Sequence, residues 1–131
     1  MTRPLILAAM LALTALALPA LEGCEKQVKA PLDTGVCWHA VTKDGKLVFN
    51  QLSTHEASIE TCAASLEAMR LRFLGLGGTV EELTGAYQGQ FLFLEKEGVF
   101  TSQSLKGARY LMLVRTGGGQ LAKLGAQPVA P

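Results

Sequence analysis

Residues 53–75, STHEASIETCAASLEAMRLRFLG, decide the fold, because they are the one stretch with a sustained helical period. Ile59, Cys62, Ala63, Leu66, Met69 and Phe73 recur at helical spacing and form a single apolar stripe. Ser53 at the N-cap and Glu56 three residues later have the spacing of a capping box. Glu56 and Glu60 sit near the positive end of the helix dipole, Arg70 and Arg72 near the negative end, and Gly75 supplies a stop. Cys62 falls in the buried stripe, which makes it a candidate staple to the segment that carries Cys37.

Upstream of the helix, residues 36–51 read as a β-hairpin. VCWHAVT and KLVFNQ flank Lys43-Asp44-Gly45, and Asp-Gly between apolar runs is a strong hairpin signal. The period of two puts Cys37, His39 and Val41 on one face, and Val36, Trp38 and Ala40 on the other. A Cys37–Cys62 disulfide therefore requires the Cys37 face to lie beneath the helix.

Downstream, residues 76–78 form a glycine-rich hinge, and residues 79–83 (TVEEL) read as a short helical turn or an irregular segment. Residues 87–95 (YQGQFLFLE) read as a strand, with a bulge at Gly85 or Gly89. Lys96-Glu97-Gly98 turns the chain into a strand at 99–102, and residues 108–115 (ARYLMLVR) form the last strand. Gly117-Gly118-Gly119 closes the domain, and residues 117–131 have too little apolar pattern to pack, which predicts a flexible tail. The expected fold is α+β: a small antiparallel sheet of about five strands, order β-β-α-β-β-β, spanning residues 36–116, with one main helix on one face and a disulfide staple.

That architecture raises a problem. Phe91 and Phe93 point one way and Leu92 and Leu94 the other; Tyr110, Met112 and Val114 likewise oppose Leu111 and Leu113. A sheet with one wet face alternates apolar with polar, and one helix covers only one face. The second face has to be hidden by curling of the sheet, by flanking segments, by a protein partner or second copy, or by membrane.

The N-terminus belongs to targeting. Met1-Thr2-Arg3 is a short basic segment, and residues 5–18 (LILAAMLALTALAL) are an apolar run of 14 residues closed by Pro19. A transmembrane helix needs about 20 residues, so residues 1–23 read as a secretory signal peptide. Leu21-Glu22-Gly23-Cys24 resembles the lipobox of bacterial lipoproteins. That resemblance implies acylation of Cys24 and anchoring of the mature chain to a membrane of the cell envelope, on its periplasmic side. The alternative is ordinary cleavage after Ala20, which gives a soluble periplasmic or secreted protein. With 3 cysteines in the chain, acylation of Cys24 leaves Cys37 and Cys62 as one pair, suited to an oxidising compartment. Residues 24–35 then serve as anchor and linker; the 11 residues after Cys24 (25–35) reach about 36 Å at roughly 3.3 Å each.

Charge excludes one class of partner. Twelve Lys and Arg balance 11 Asp and Glu, and no basic run is interleaved with aromatics, so nucleic-acid binding has no electrostatic footprint. Catalysis lacks a constellation. His55 lies beside Glu56 in the expected first helical turn, and His39 shares a face with Cys37, but a Cys-His pair fails once Cys37 is oxidised. Cys37, His39 and Cys62 make a weak zinc set for the same reason. Glu81-Glu82 and Glu95 with Glu97 read as solvated charge, and neither glycine cluster has the Lys and Ser or Thr of a phosphate-binding loop. No metal and no cofactor are implied, and the chain does not read as an enzyme.

The aromatics Trp38, Tyr87 and Tyr110 remain as a candidate interaction surface on the uncovered sheet face. The sequence thus predicts a non-catalytic accessory or interaction module of the bacterial envelope. The alternative is a periplasmic domain that binds a small apolar ligand or glycan against that same face.

Overall fold

A computed structural model describes residues 27–79 and 82–125. Residues 1–26, which include Cys24 and the segment read from sequence as a signal peptide, and residues 80–81 and 126–131 lie outside the described residues. The described residues form an α+β fold with one helix and a seven-stranded antiparallel sheet of order β2-β1-β3-β4-β5-β6-β7. Strands β1 (Cys37–Lys43) and β2 (Lys46–Ser53) form the expected hairpin, turning at Asp44 and Gly45 with φ of 52° and 74°. Helix α1 (Ile59–Gly75) then crosses to β3 (Leu83–Tyr87), which pairs with the other edge of β1. β2 and β3 therefore run parallel with β1 between them, and α1 is the crossover that covers all three. β4 (Gln90–Leu94), β5 (Gly98–Ser102), β6 (Tyr110–Arg115) and β7 (Leu121–Lys123) continue as a meander.

The strand count is seven where the sequence reading expects five. One extra strand is β3. The reading merges its end with β4, because Gln88-Gly89 does not resemble a hairpin turn. Yet Gln88 and Gly89 adopt φ of 41° and 84°, the left-handed pair that reverses a tight hairpin. Gln88 tolerates this because its side chain is employed: its Oε1 accepts the Gly35 N–H at 2.8 Å. Gly85 is not a bulge either; it pairs in register with His39 and Leu92, and a Cβ there would run into Leu66 and the Trp38 carbonyl. The glycine lets α1 settle directly onto the sheet. The other extra strand is β7, three residues placed by the sequence reading in the flexible tail. It forms because Thr116 and Gln120 close a turn (N–H to carbonyl, 2.7 Å) that returns the chain alongside β6.

Both helix ends also differ from expectation. Ser53 donates to Glu56 Oε1 at 2.6 Å, so that pair exists, but it precedes the helix. His55 has φ of 58°, which interrupts any helix started at Ser53. Ser58 is the N-cap, and Thr61 completes a reciprocal capping box with it. At the C-terminus Gly75 is still helical. The stop is Gly77, at φ 85°, with Gly77 N–H to the Leu74 carbonyl and Gly78 N–H to the Phe73 carbonyl in a Schellman arrangement.

Cys37 and Cys62, 25 positions apart in sequence, form the expected disulfide, with Cα atoms 5.3 Å apart. The bridge sits in the core between sheet and helix, where Ala63, Leu66, Leu92, Leu94 and Val99 are fully buried. Leu92 and Leu94 face α1, and Phe91 and Phe93 face away, as strand period requires. The alternation fails in β6. A register shift between Val99 and Phe100 leaves Met112 unpaired opposite, so Met112 and Leu113 both turn toward the helix-side core.

Candidate functional site

The second sheet face carries a core of its own. Ala86, Phe91 and Phe93 are buried there, with Trp38, Leu47, Phe49 and Phe100 packed around them. Two flanking segments cover it. Ala30, 5% exposed, comes from the N-terminal arm, and Leu105 from the loop between β5 and β6. The arm is tied down by backbone: Gly89 N–H donates to the Pro31 carbonyl at 2.8 Å, and Glu56 N–H to the Gly35 carbonyl at 2.9 Å. Residues 27–35, read from sequence as a linker, thus run along the domain. The guanidinium of Arg109 lies 3.6 Å over the Phe93 ring, a cation–π contact, and is paired with Glu82 and Glu95. Partial burial pulls the Arg109 pKa down, but the hydrogen bonds and charges of the two carboxylates outweigh it and raise it. Glu82 and Glu95 are therefore ion-paired, in place of the purely solvated charges expected.

The three aromatic candidates do not come together. Trp38 is half-buried on the second face, and its Nε1 has no hydrogen-bond partner among the described residues. Tyr87 belongs to the helix side, 6% exposed, with its hydroxyl donating to the Glu56 carbonyl at 2.8 Å. Tyr110 stands at the start of β6, 69% exposed.

The chemistry-bearing residues are similarly dispersed. His39 is half-buried beside Phe73, ring centroids 6.5 Å apart, and desolvation lowers its pKa. Its neighbour Cys37 is spent in the disulfide, which removes both the Cys-His pair and two of the three candidate zinc ligands. His55 is exposed, next to the Thr54 hydroxyl. Among the described residues no group of three or more His, Cys, Asp or Glu side chains converges as a metal site. Glu56 is a joint: Ser53 and Ser65 donate to its carboxylate at 2.6 and 2.8 Å, lowering its pKa, while its backbone engages Gly35 and Tyr87. A second joint, which sequence reasoning missed, links helix to sheet. Arg115 from β6 meets the Glu67 carboxylate through both terminal nitrogens, one at 2.9 Å, and donates Nε–H to the Glu95 carbonyl at 3.1 Å; Arg70 joins at 3.2 Å. The only sequence signal for it was an acidic residue beside the apolar stripe of α1.

What stays open is elsewhere. At the C-terminal end of α1, Leu71, Phe73, Leu74 and Leu76 are 55%, 39%, 38% and 80% exposed, with Val48 of β2 also exposed. Leu71 borders a shallow groove of about 480 Å³ between Ala64, Ala68 and the turn at Gly118 to Leu121. No helix among the described residues is long and apolar enough to cross a membrane. The chain matches no protein-family model, no curated protein and no solved structure.

Proposed function

We propose that this chain is an exported bacterial envelope protein, anchored through acylated Cys24, whose domain acts as a non-catalytic interaction module. The observation that carries the reading is the exposure of four large apolar side chains, Leu71, Phe73, Leu74 and Leu76, within the last turns of α1 and its C-cap. Large apolar side chains concentrated in water at one helix end offer the kind of surface a partner covers. They project from a helix end that closes in a Schellman turn, just beyond the ion pairs that join Glu67 to Arg70 and to the sheet. The buried disulfide suits an oxidising compartment. Its surface differs from the one expected on Trp38, since Trp38 is half-buried beside the arm.

The test is cross-linking in intact envelopes from a photoreactive residue at Leu76. A discrete adduct is expected, lost on Leu71→Glu with the circular dichroism of the domain unchanged. Absence of any adduct to protein, with the purified domain strictly monomeric by light scattering, sinks the interaction-module reading.

A further inference from the structure

The two ends of the domain are unequal distances from Gln27, where the described chain begins. The Gln88–Gly89 turn, the loop at 103–108 and the N-terminus of α1 lie at one end, the proximal one, as the shared lining of the grooves around Gln88 and Gln90 requires. The hairpin tip at Asp44 and Gly45, the turn at Glu95 to Gly98 and the C-terminus of α1 lie at the other. The N-terminal arm docks at the proximal end, where the Pro31 carbonyl accepts from Gly89 and Leu32 lies against the Gly89 backbone. From Cys24 to Ala30, the first buried residue, is six residue steps (24 to 30). Fully extended, they span about 20 Å. The 17-residue helix is about 25 Å long at 1.5 Å per residue, so such a tether cannot carry an anchor past it to the distal end.

We propose that the proximal end, with Val28 and Leu32 outermost, rests on the lipid surface, and that the apolar end of α1 is thereby presented away from it. This rests on acylation of Cys24. Val28 and Leu32 are 42% and 80% exposed, apolar groups placed where a lipid interface accepts them, and exposed Lys29 between them suits anionic headgroups, with Asp33 the acidic neighbour. The anchored domain is therefore oriented by the shortness of its tether, and two of its exposed apolar groups have different occupants: lipid at Leu32, protein at Leu76.

The experiment uses the full mature chain in vesicles of phosphatidylethanolamine and phosphatidylglycerol that carry a nickel-chelating headgroup lipid. Spin labels are placed by Leu32→Cys or Leu76→Cys, with Lys29→Cys and Lys96→Cys as a second exposed pair should either leucine variant misfold. Relaxation by headgroup nickel is expected to be several-fold stronger at position 32 than at 76, and at 29 than at 96. Inserting about a dozen Gly and Ser residues after Glu25 is expected to erase the difference, because a flexible tether of that length no longer constrains orientation. Equal or reversed relaxation on a chain whose mass proves Cys24 acylated overturns the orientation alone. An unacylated N-terminus overturns the lipoprotein reading and the orientation with it.

Discussion

The two faces of the sheet are both apolar, yet they are closed by different means. On the helix side a 17-residue helix, a buried disulfide and a three-residue ion network cover the sheet. On the other side the cover is an extended arm and a loop, held by Ala30, Leu105 and a few backbone hydrogen bonds. The first cover is cooperative with the core; the second is a strap laid over an aromatic layer. Local opening follows the weaker cover, since few buried apolar contacts and exposed hydrogen bonds lower the free energy of opening.

Substitutions can break this contrast. Phe91→Ala empties the centre of the aromatic layer, and a loss of about 3–5 kcal/mol is expected in urea unfolding. A loss under about 1 kcal/mol would mean that the strap side contributes little to the fold. Glu67→Ala leaves Arg115 and Arg70 without their carboxylate in a largely buried site; about 3 kcal/mol is expected to be lost, whereas Glu67→Met, Arg70→Met and Arg115→Met together are expected to be near neutral. Removing both bridge cysteines by Cys37→Ala and Cys62→Ala is expected to cost about 3 kcal/mol, mainly through the unfolded chain. Gln88→Ala deletes the acceptor for Gly35 N–H, with an expected cost of about 1 kcal/mol. Its signature is selective: faster amide exchange in residues 27–35, with the helix unchanged.

The smallest effect is a pH dependence at the joint between the two regions. The Glu56 carboxylate, held below its ordinary value of 4.5 by Ser53 and Ser65 hydroxyls, stabilises the fold above that pH and loses its contribution as pH falls through the lowered value. Glu56→Gln is therefore expected to flatten the acid limb of the stability profile below about pH 4.5. An unchanged acid limb in thermal melts refutes the assignment. His39 acts in the same direction at higher pH. Burial favours its neutral form, so stability declines as pH falls below 6.5.

The contrast also explains which parts were legible. The apolar stripe of α1, the Asp44-Gly45 hairpin and the Cys37–Cys62 bridge all follow from local period, turn chemistry and cysteine parity. The hairpin at Gln88-Gly89 was not legible, because the residue that makes it tenable is Gly35, 53 positions away. The helix start was misplaced because Ser53-x-x-Glu56 has the right spacing, and only the left-handed His55 reveals that the motif closes a loop. Tyr87 looked like a surface aromatic; pairing with Cys37 puts it under the helix.

By itself, the amino-acid sequence determined an α+β domain, one amphipathic helix, a disulfide, and two apolar sheet faces, since these depend on residues close in the chain or on simple parity. Only the tertiary structure decided what closes the second face, which aromatics stay in water, and that Glu67 and Arg115 meet. Those outcomes depend on segments far apart in sequence, and no local period encodes where a strap lies or which distant charge a buried carboxylate finds.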